Sequence, residues 1–181
     1  MVILRYMKYV FLFLLSFVAI VLVVGLFTPK TYAVTKTIEV DKEAEFVFNY
    51  FKQLKNQDNY SVWSTLDSNM KKSYSGNDAT VGFVSRWESK VSEVGTGEQE
   101  IAAIEQGKRI DYVVRFIEPF TSSYNCFLQA DKINDDKTLV TWGLSGEMNY
   151  PTNLFLLFMN MEDLLGKNLQ LGLSNLKVVL E

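Results

Sequence analysis

The hydrophobic pattern at the end of the chain predicts one long amphipathic helix from Pro151 to Leu180. Apolar residues recur there at steps of three and four, and polar residues occupy the opposite face. A helix of this kind needs an apolar surface to cover, and the preceding sequence predicts a sheet. The apolar positions are Leu154, Phe158, Met161, Leu165, Leu169, Gly172 and Leu176.

Period-two alternation predicts that sheet. A first strand at Val34–Val40 leads into a helix at Lys42–Leu54 with Asp41 at its cap, and Asn56–Trp63 suggests a second short helix or turn. Short turns separate the later strands, so these strands should pair antiparallel with their sequence neighbours. They are Met70–Tyr74, Gly82–Ser89, Gly97–Glu105, Lys108–Ile117, Ser122–Asp131 and Lys137–Met148.

Alternation within the last three strands also predicts which side chains face the helix. Apolar residues alternate with polar ones, so the apolar set forms the inner face of a curved sheet. A gap between such a sheet and a single long helix suits an apolar ligand. The inner-face residues are Ile110, Tyr112, Val114, Phe116, Tyr124, Cys126, Leu128, Ala130, Val140, Trp142, Leu144 and Met148.

The N-terminal region contains an uncharged stretch of nineteen residues, Tyr9–Phe27. At about 1.5 Å per residue it just crosses a hydrocarbon core of roughly 30 Å, which predicts a transmembrane helix. A cleaved signal peptide is the alternative, with Arg5 and Lys8 as its basic start and Thr31-Tyr32-Ala33 as a cleavage site. The apolar stretch exceeds the roughly 7 to 15 residues of a signal peptide, which favours an uncleaved anchor.

The chain therefore divides into a short tail at 1–8, a membrane helix at 9–27, a tether at 28–33 and one domain at 34–181. Residues 34–181 contain 15 basic and 21 acidic residues, a net charge of −6, which disfavours nucleic-acid binding. The charges flanking the span do not decide its orientation. The very short N-terminal tail favours a single-pass protein whose domain lies on the extracytoplasmic side.

The residue types available restrict the chemistry. The sequence has no histidine, which removes the commonest general base and metal ligand, and Cys126 is its only cysteine. Cys126 lies in an apolar strand and is interpreted as an inert buried thiol. Glu118-Pro119 is interpreted as a strand end. We therefore expect no catalytic residue, no metal and no cofactor.

Gly166 and Gly172 interrupt the predicted C-terminal helix, where each weakens the helix by about 1 kcal/mol relative to alanine. One interpretation is close packing of the helix against the sheet. The other is local flexibility that admits a ligand.

The order of these elements and four short motifs resemble the helix-grip fold of the START-like (SRPBCC) superfamily. The similarity extends over residues 34–181 and is to bacterial members described as polyketide cyclase, dehydrase and lipid-transport proteins. The motifs are Tyr60-Ser61-Val62-Trp63-Ser64, Thr80-Val81-Gly82 with Trp87-Glu88, Arg115-Phe116-Ile117-Glu118-Pro119-Phe120, and Lys137-Thr138-Leu139-Val140-Thr141-Trp142.

The resemblance implies an α+β fold in which a curved antiparallel sheet wraps around the C-terminal helix, with a cavity between them for lipids, sterols or other hydrophobic molecules. Tyr112, Tyr124 and Asn160 are candidates for orienting a polar headgroup. The three tryptophans also suit a filled core. The pocket candidates are Trp63, Trp87, Tyr112, Val114, Phe116, Tyr124, Leu128, Trp142, Phe158, Met161 and Leu165.

Three functions follow as hypotheses. The first is a noncatalytic, membrane-anchored module that binds a hydrophobic small molecule or lipid. The second is a cyclase- or dehydratase-type enzyme that uses the same cavity. The third is a scaffold without a ligand, whose apolar helix start or sheet edge binds a protein partner.

Overall fold

The computed structural model describes residues 2–181, with side chains from Tyr6 onward, and has the α+β helix-grip architecture predicted from the sequence. The strands are β1 (Thr31–Val40), β2 (Lys71–Ser75), β3 (Val84–Glu88), β4 (Thr96–Glu105), β5 (Arg109–Glu118), β6 (Ser122–Asn134) and β7 (Lys137–Glu147). The α-helices are α1 (Val2–Phe27), α2 (Ala44–Phe51), α3 (Val62–Thr65) and α4 (Lys167–Leu180). Two 3₁₀ helices, Leu54–Asn59 and Thr152–Leu157, and a π-helical turn, Glu162–Gly166, complete the elements.

The chain forms two compact units. The first combines the N-terminal residues up to Tyr32 with Glu147–Asn160. The second contains Ala33–Gly146 and Met161–Glu181, and therefore most of the sheet together with α4.

The seven strands form one curved sheet in the order β1-β7-β6-β5-β4-β3-β2. Consecutive strands from β2 to β7 pair antiparallel, which confirms the predicted meander. The register places Ile110 opposite Leu128 and Tyr112 opposite Cys126, while Leu128 also faces Trp142. All five side chains are buried, so alternation identified the inner face of these strands correctly.

Helices α2 and α4 supply the other half of the core. Val47, Phe48 and Phe51 of α2 are buried in the same cluster as Leu169 and Leu173 of α4. Their spacing places them on one face of each helix, and burial of these side chains stabilises the fold by roughly 1.5 to 3 kcal/mol each.

The prediction of one continuous helix from Pro151 to Leu180 is wrong in its first half. Thr152–Leu157 is a 3₁₀ helix, and the α-helix α4 begins only at Lys167, after the π-helical turn. The physical reason is that Asn153, in the first unit, is fully buried and donates to backbone carbonyls near the end of α1. The early apolar positions, Leu154 and Phe158, therefore belong to a different unit from the later ones.

The predicted cap at Asp41 is also wrong. Glu43 occupies the N-cap of α2 and makes no side-chain capping bond. The Asp41 amide donates to Glu181 Oε1 at 2.7 Å, and its carboxylate lies 3.5 Å from Lys137 Nζ. Asp41 thus connects the end of β1 to the C-terminus and to β7.

The close approach of α4 to the sheet explains Gly172. A Cβ at this position would lie 2.6 Å from Cζ3 of Trp142, which is much less than a van der Waals contact. At Gly166 a Cβ would lie 2.8 Å from Cε of Lys36. The contacts therefore support the packing interpretation at Gly172, whereas at Gly166 the nearby atom belongs to a flexible lysine side chain that can move aside.

Helix α1 includes one stretch, Tyr6–Phe27, that is long and apolar enough to cross a membrane or to act as a signal sequence. The predicted span Tyr9–Phe27 lies within it, and most of its side chains are exposed. Near its end, the Thr28 hydroxyl donates to the Val24 carbonyl at 3.0 Å.

Candidate functional site

The second unit contains a cavity of about 300 Å³ between the inner face of the sheet, α4 and the segment around α3. This volume is at the lower end of the roughly 300 to 1,000 Å³ that is typical of small-molecule sites. The predicted pocket residues that line it are Trp63, Trp87, Tyr112, Val114, Phe116, Tyr124, Trp142 and Leu165.

The other predicted pocket residues lie elsewhere. Leu128 is fully buried in the core, and Met161 packs against that core while partly buried. Phe158 belongs to the first unit and its side chain is 86% exposed. Asn160 belongs to the same unit, so Tyr112 and Tyr124 are the predicted orienting residues that line the cavity.

Aromatic rings form much of the cavity wall. Trp63 meets Trp142 edge-to-face with 6.3 Å between ring centroids. On the other side, Phe116 makes edge contacts with Trp87 at 5.5 Å and with Tyr124 at 5.8 Å. Edge-to-face contacts of this kind add about 0.5 to 1.5 kcal/mol beyond area burial, so these rings hold the wall in place.

Tyr112 contributes a buried hydroxyl to the lining of the cavity. It accepts a hydrogen bond from Trp142 Nε1 at 2.8 Å, and both side chains are buried. Burial raises the pKa of Tyr112 well above its usual value, and the nearby Cys126 and Tyr60 add to this effect. Tyr112 is therefore a neutral hydroxyl near neutral pH, able to donate a hydrogen bond and unsuited to act as a base.

Gln57 is a buried polar lining residue that the sequence analysis missed. It lies in the first 3₁₀ helix, is 5% exposed and lines the cavity. The Gln57 side chain lies close enough to the Tyr112 hydroxyl to lower the pKa of Tyr112. The amide nitrogen Nε2 of Gln57 has no hydrogen-bond partner among the described residues. A buried donor without a partner costs about 1 to 3 kcal/mol, so this nitrogen is available to an acceptor on a bound molecule.

Charged side chains occur at the more exposed part of the lining. Lys72 Nζ lies 2.5 Å from the Asp58 carboxylate, which also accepts a hydrogen bond from the Ser64 hydroxyl at 3.4 Å. Glu93 is another exposed lining residue. The Asp58 and Glu93 carboxylates are thus exposed, and Lys72 is partly buried beside Asp58, whereas Gln57 and Tyr112 are uncharged and buried. Across the part of the chain that the structure describes, no group of three or more His, Cys, Asp or Glu could hold a metal ion.

Cys126 lies opposite Tyr112 in the β5–β6 register and lines the cavity. Burial raises the pKa of its thiol from about 9 to about 12, and a hydrogen bond with Tyr112 opposes this only in part. The thiolate fraction near neutral pH is correspondingly small, which agrees with the interpretation of an inert thiol.

We expect alkylation of Cys126 by iodoacetamide at pH 8 to be about a thousandfold slower in the folded protein than in denaturant, because the thiolate reacts. The rate should rise about tenfold per pH unit until the pH approaches the folded pKa. The same shift should lower the free energy of unfolding above about pH 9, since the unfolded thiol ionises first. Mass spectrometry measures the two alkylation rates. Equal rates in the folded and denatured protein at pH 8 would contradict a raised pKa of the Cys126 thiol.

Comparison with known proteins supports the fold. No family model matches the chain, and no curated protein matches it in sequence. Among solved structures, truncated norcoclaurine synthase from Thalictrum flavum has a TM-score of 0.61 at 11% identity, covering 83% of this chain and 94% of the synthase. Another structure of that synthase is a complex with dopamine and hydroxybenzaldehyde, with a TM-score of 0.58 at 11% identity and coverage of 86% and 88%.

A hypothetical protein from Helicobacter pylori has a TM-score of 0.61 at 11% identity, with coverage of 83% of this chain and 88% of the other. A protein from Nitrosospira multiformis reaches 21% identity at a TM-score of 0.53, covering 83% and 97%. These neighbours have helix-grip-like folds, and the synthase is Bet v1-like. The chain therefore shares the helix-grip class of fold.

Proposed function

We propose that this protein is a membrane-anchored, START-like module that holds a hydrophobic small molecule or lipid in the cavity of its second unit. The observation that supports this most directly is an apolar, aromatic-walled cavity with an unpaired Gln57 donor in its buried part. Burial of the ligand would supply the affinity, at about 25 cal/mol per Å² of apolar surface before the costs of association.

The cavity also restricts the ligand. A volume of 300 Å³ corresponds to about ten water molecules at roughly 30 Å³ each, which suits one compact molecule or part of an acyl chain. Gln57 and the Tyr112 hydroxyl favour a ligand with one uncharged hydrogen-bonding group, such as a carbonyl, at its buried end. The paired charges of Lys72 and Asp58 leave no strong preference for an ionic ligand.

A noncatalytic role agrees with the protonation of the buried groups. Tyr112 and Cys126 both have raised pKa values, so neither is a base at neutral pH. Asp58 and Glu93, the lining carboxylates, are exposed. The lining residues therefore orient and pack the ligand, and none of them is assigned a role in a reaction.

The anchor in this proposal is the Tyr6–Phe27 stretch of α1, and residues 34–181 are the ligand-binding domain. A single pass with the N-terminal end of the helix on the cytoplasmic side would export that domain. Cleavage at Thr31-Tyr32-Ala33 would instead cut within β1, which begins at Thr31. This position supports retention of the helix.

Native mass spectrometry of the full-length protein, released gently from membranes, tests the proposal. We expect a stoichiometric small-molecule adduct that is lost when the protein is unfolded, and analysis of the freed molecule gives its chemical class. A clean unliganded mass together with a stoichiometric protein partner would contradict the proposal and favour a scaffold.

A further inference from the structure

The carboxyl end of α1 is packed by a segment distant in sequence. Asn153 is fully buried, and its Nδ2 donates to the Gly25 carbonyl at 2.8 Å and to the Thr28 carbonyl at 2.9 Å. The last carbonyls of a helix have no partner within the helix, so Asn153 satisfies groups that would otherwise need water. The same bonds attach residue 153 to the end of the apolar helix.

Direct packing against the helix backbone accompanies these hydrogen bonds. A Cβ at Gly25 would lie 3.1 Å from Cγ of Leu154 and 3.2 Å from Cε2 of Tyr150. Thr28 is only 7% exposed, and the Met148 amide donates to the Lys30 carbonyl at 2.7 Å. Residues 148–159 therefore hold a defined position at the end of α1, and we call this segment the collar.

The collar exposes apolar side chains to an unusual extent. Phe158 is 86% exposed, and Phe27 at the end of the helix is 85% exposed. No charged residue occurs from Met148 to Met161. The other exposed apolar side chains of the collar are Tyr150, Phe155, Leu157 and Met159. A patch of this kind normally meets a lipid or protein surface.

The position of the collar along α1 indicates which surface it meets. The 22 residues of Tyr6–Phe27 extend about 33 Å at 1.5 Å per residue, slightly more than a hydrocarbon core of about 30 Å. If the helix spans a bilayer, Gly25 and Thr28 lie near the boundary between acyl chains and headgroups. Tryptophan and tyrosine are enriched at that depth, and Tyr150 of the collar lies beside Gly25.

We propose that the collar is inserted into the headgroup–acyl boundary of the bilayer that α1 crosses. Phe155, Leu157 and Phe158 enter the acyl region, as the apolar face of an interfacial helix does. Asn153 serves as the clamp that satisfies the end of the span and holds the collar at that depth. This inference rests on the proposed membrane anchor, and its occupant is lipid.

Spin labels on the full-length protein in phosphatidylcholine vesicles test the inference. In a Cys126→Ala background, single labels are attached at Phe158→Cys in the collar, at Phe17→Cys in the span and at Asp135→Cys in a charged turn. Phe17 is 57% exposed and the Asp135 side chain 91% exposed, so all three positions accept a label. Power saturation then compares collisions with oxygen, which enters the bilayer, and with a water-soluble nickel chelate.

We expect the oxygen-to-nickel collision ratio at Phe158 to be several-fold higher than at Asp135 and to approach that at Phe17. A ratio equal to that at Asp135 would overturn the inference, since the collar would then be in water. Shielding of Phe158 from both reagents would also overturn it, in favour of a covering protein or second copy. A ratio at Phe17 as low as that at Asp135 would instead show that α1 does not span the bilayer, which would contradict the proposed membrane anchor.

Discussion

Replacing Val114 by tryptophan should reduce ligand occupancy of the full-length protein at least tenfold. Val114 is half-buried, lines the cavity and lies opposite Gln99 and Tyr124 in neighbouring strands. A larger side chain there occupies part of a space of only 300 Å³, so the ligand loses contact area or is excluded. A tenfold loss corresponds to about 1.4 kcal/mol of binding free energy. The adduct fraction in native mass spectra measures it.

The matched control is tryptophan at the adjacent Val113. This residue lies on the opposite face of β5, between Glu100 and Asn125, and does not line the cavity. Val113→Trp should therefore retain the ligand, and thermal melts of both variants report whether overpacking has unfolded either protein. Full occupancy in a folded Val114→Trp protein would mean that the adduct binds outside the cavity.

Replacing Asn153 by aspartate should open the collar locally. The change is nearly isosteric, but it places a carboxylate oxygen where Nδ2 now donates to the Gly25 and Thr28 carbonyls. An unpaired buried charge costs roughly 3 to 5 kcal/mol, which corresponds to at least a hundredfold faster amide exchange in that segment. Hydrogen exchange of peptides covering residues 148–159, in vesicles, measures the effect.

Asn149→Asp is the control for this substitution. Asn149 precedes the clamp in the same segment and is exposed, so a new carboxylate there stays hydrated and exchange should change little. The defect of Asn153→Asp should lessen at low pH, because a protonated carboxyl can donate one of the two lost bonds. Unchanged exchange at neutral pH would show that the clamp contributes no stability.

The strands of this protein follow closely from its local pattern. Each predicted strand lies within three residues of the observed one at both ends, as for Ser122–Asp131 and β6. Alternation of apolar and polar residues marks the buried face of a strand. The pattern does not depend on which strands pair with it, so it can be recognised from local sequence alone. The inner-face positions, including Tyr112, Val114 and Trp142, could be predicted for this reason.

The polar chemistry of the site depended on tertiary structure. Gln57 lies in a polar stretch whose sequence predicts a short helix or turn. The fold nevertheless buries it beside Tyr112. A single polar residue carries no periodic signal, so only the packed structure identifies it. Cys126 and Leu144 were predicted to face the interior of the sheet. That they line a cavity could be seen only in the structure, because the cavity is a gap between the sheet and α4.

The sequence by itself determined the class of fold, the apolar span and the faces of the central strands, because each of these is a repeating pattern of local burial. Tertiary structure alone decided where the C-terminal helix begins. The hydrogen bond between Asn153 and Gly25 joins residues 128 positions apart in sequence. It holds the segment that follows Pro151 against the end of α1. Periodicity shows that a face is apolar, whereas the identity of the surface it meets depends on contacts distant in sequence.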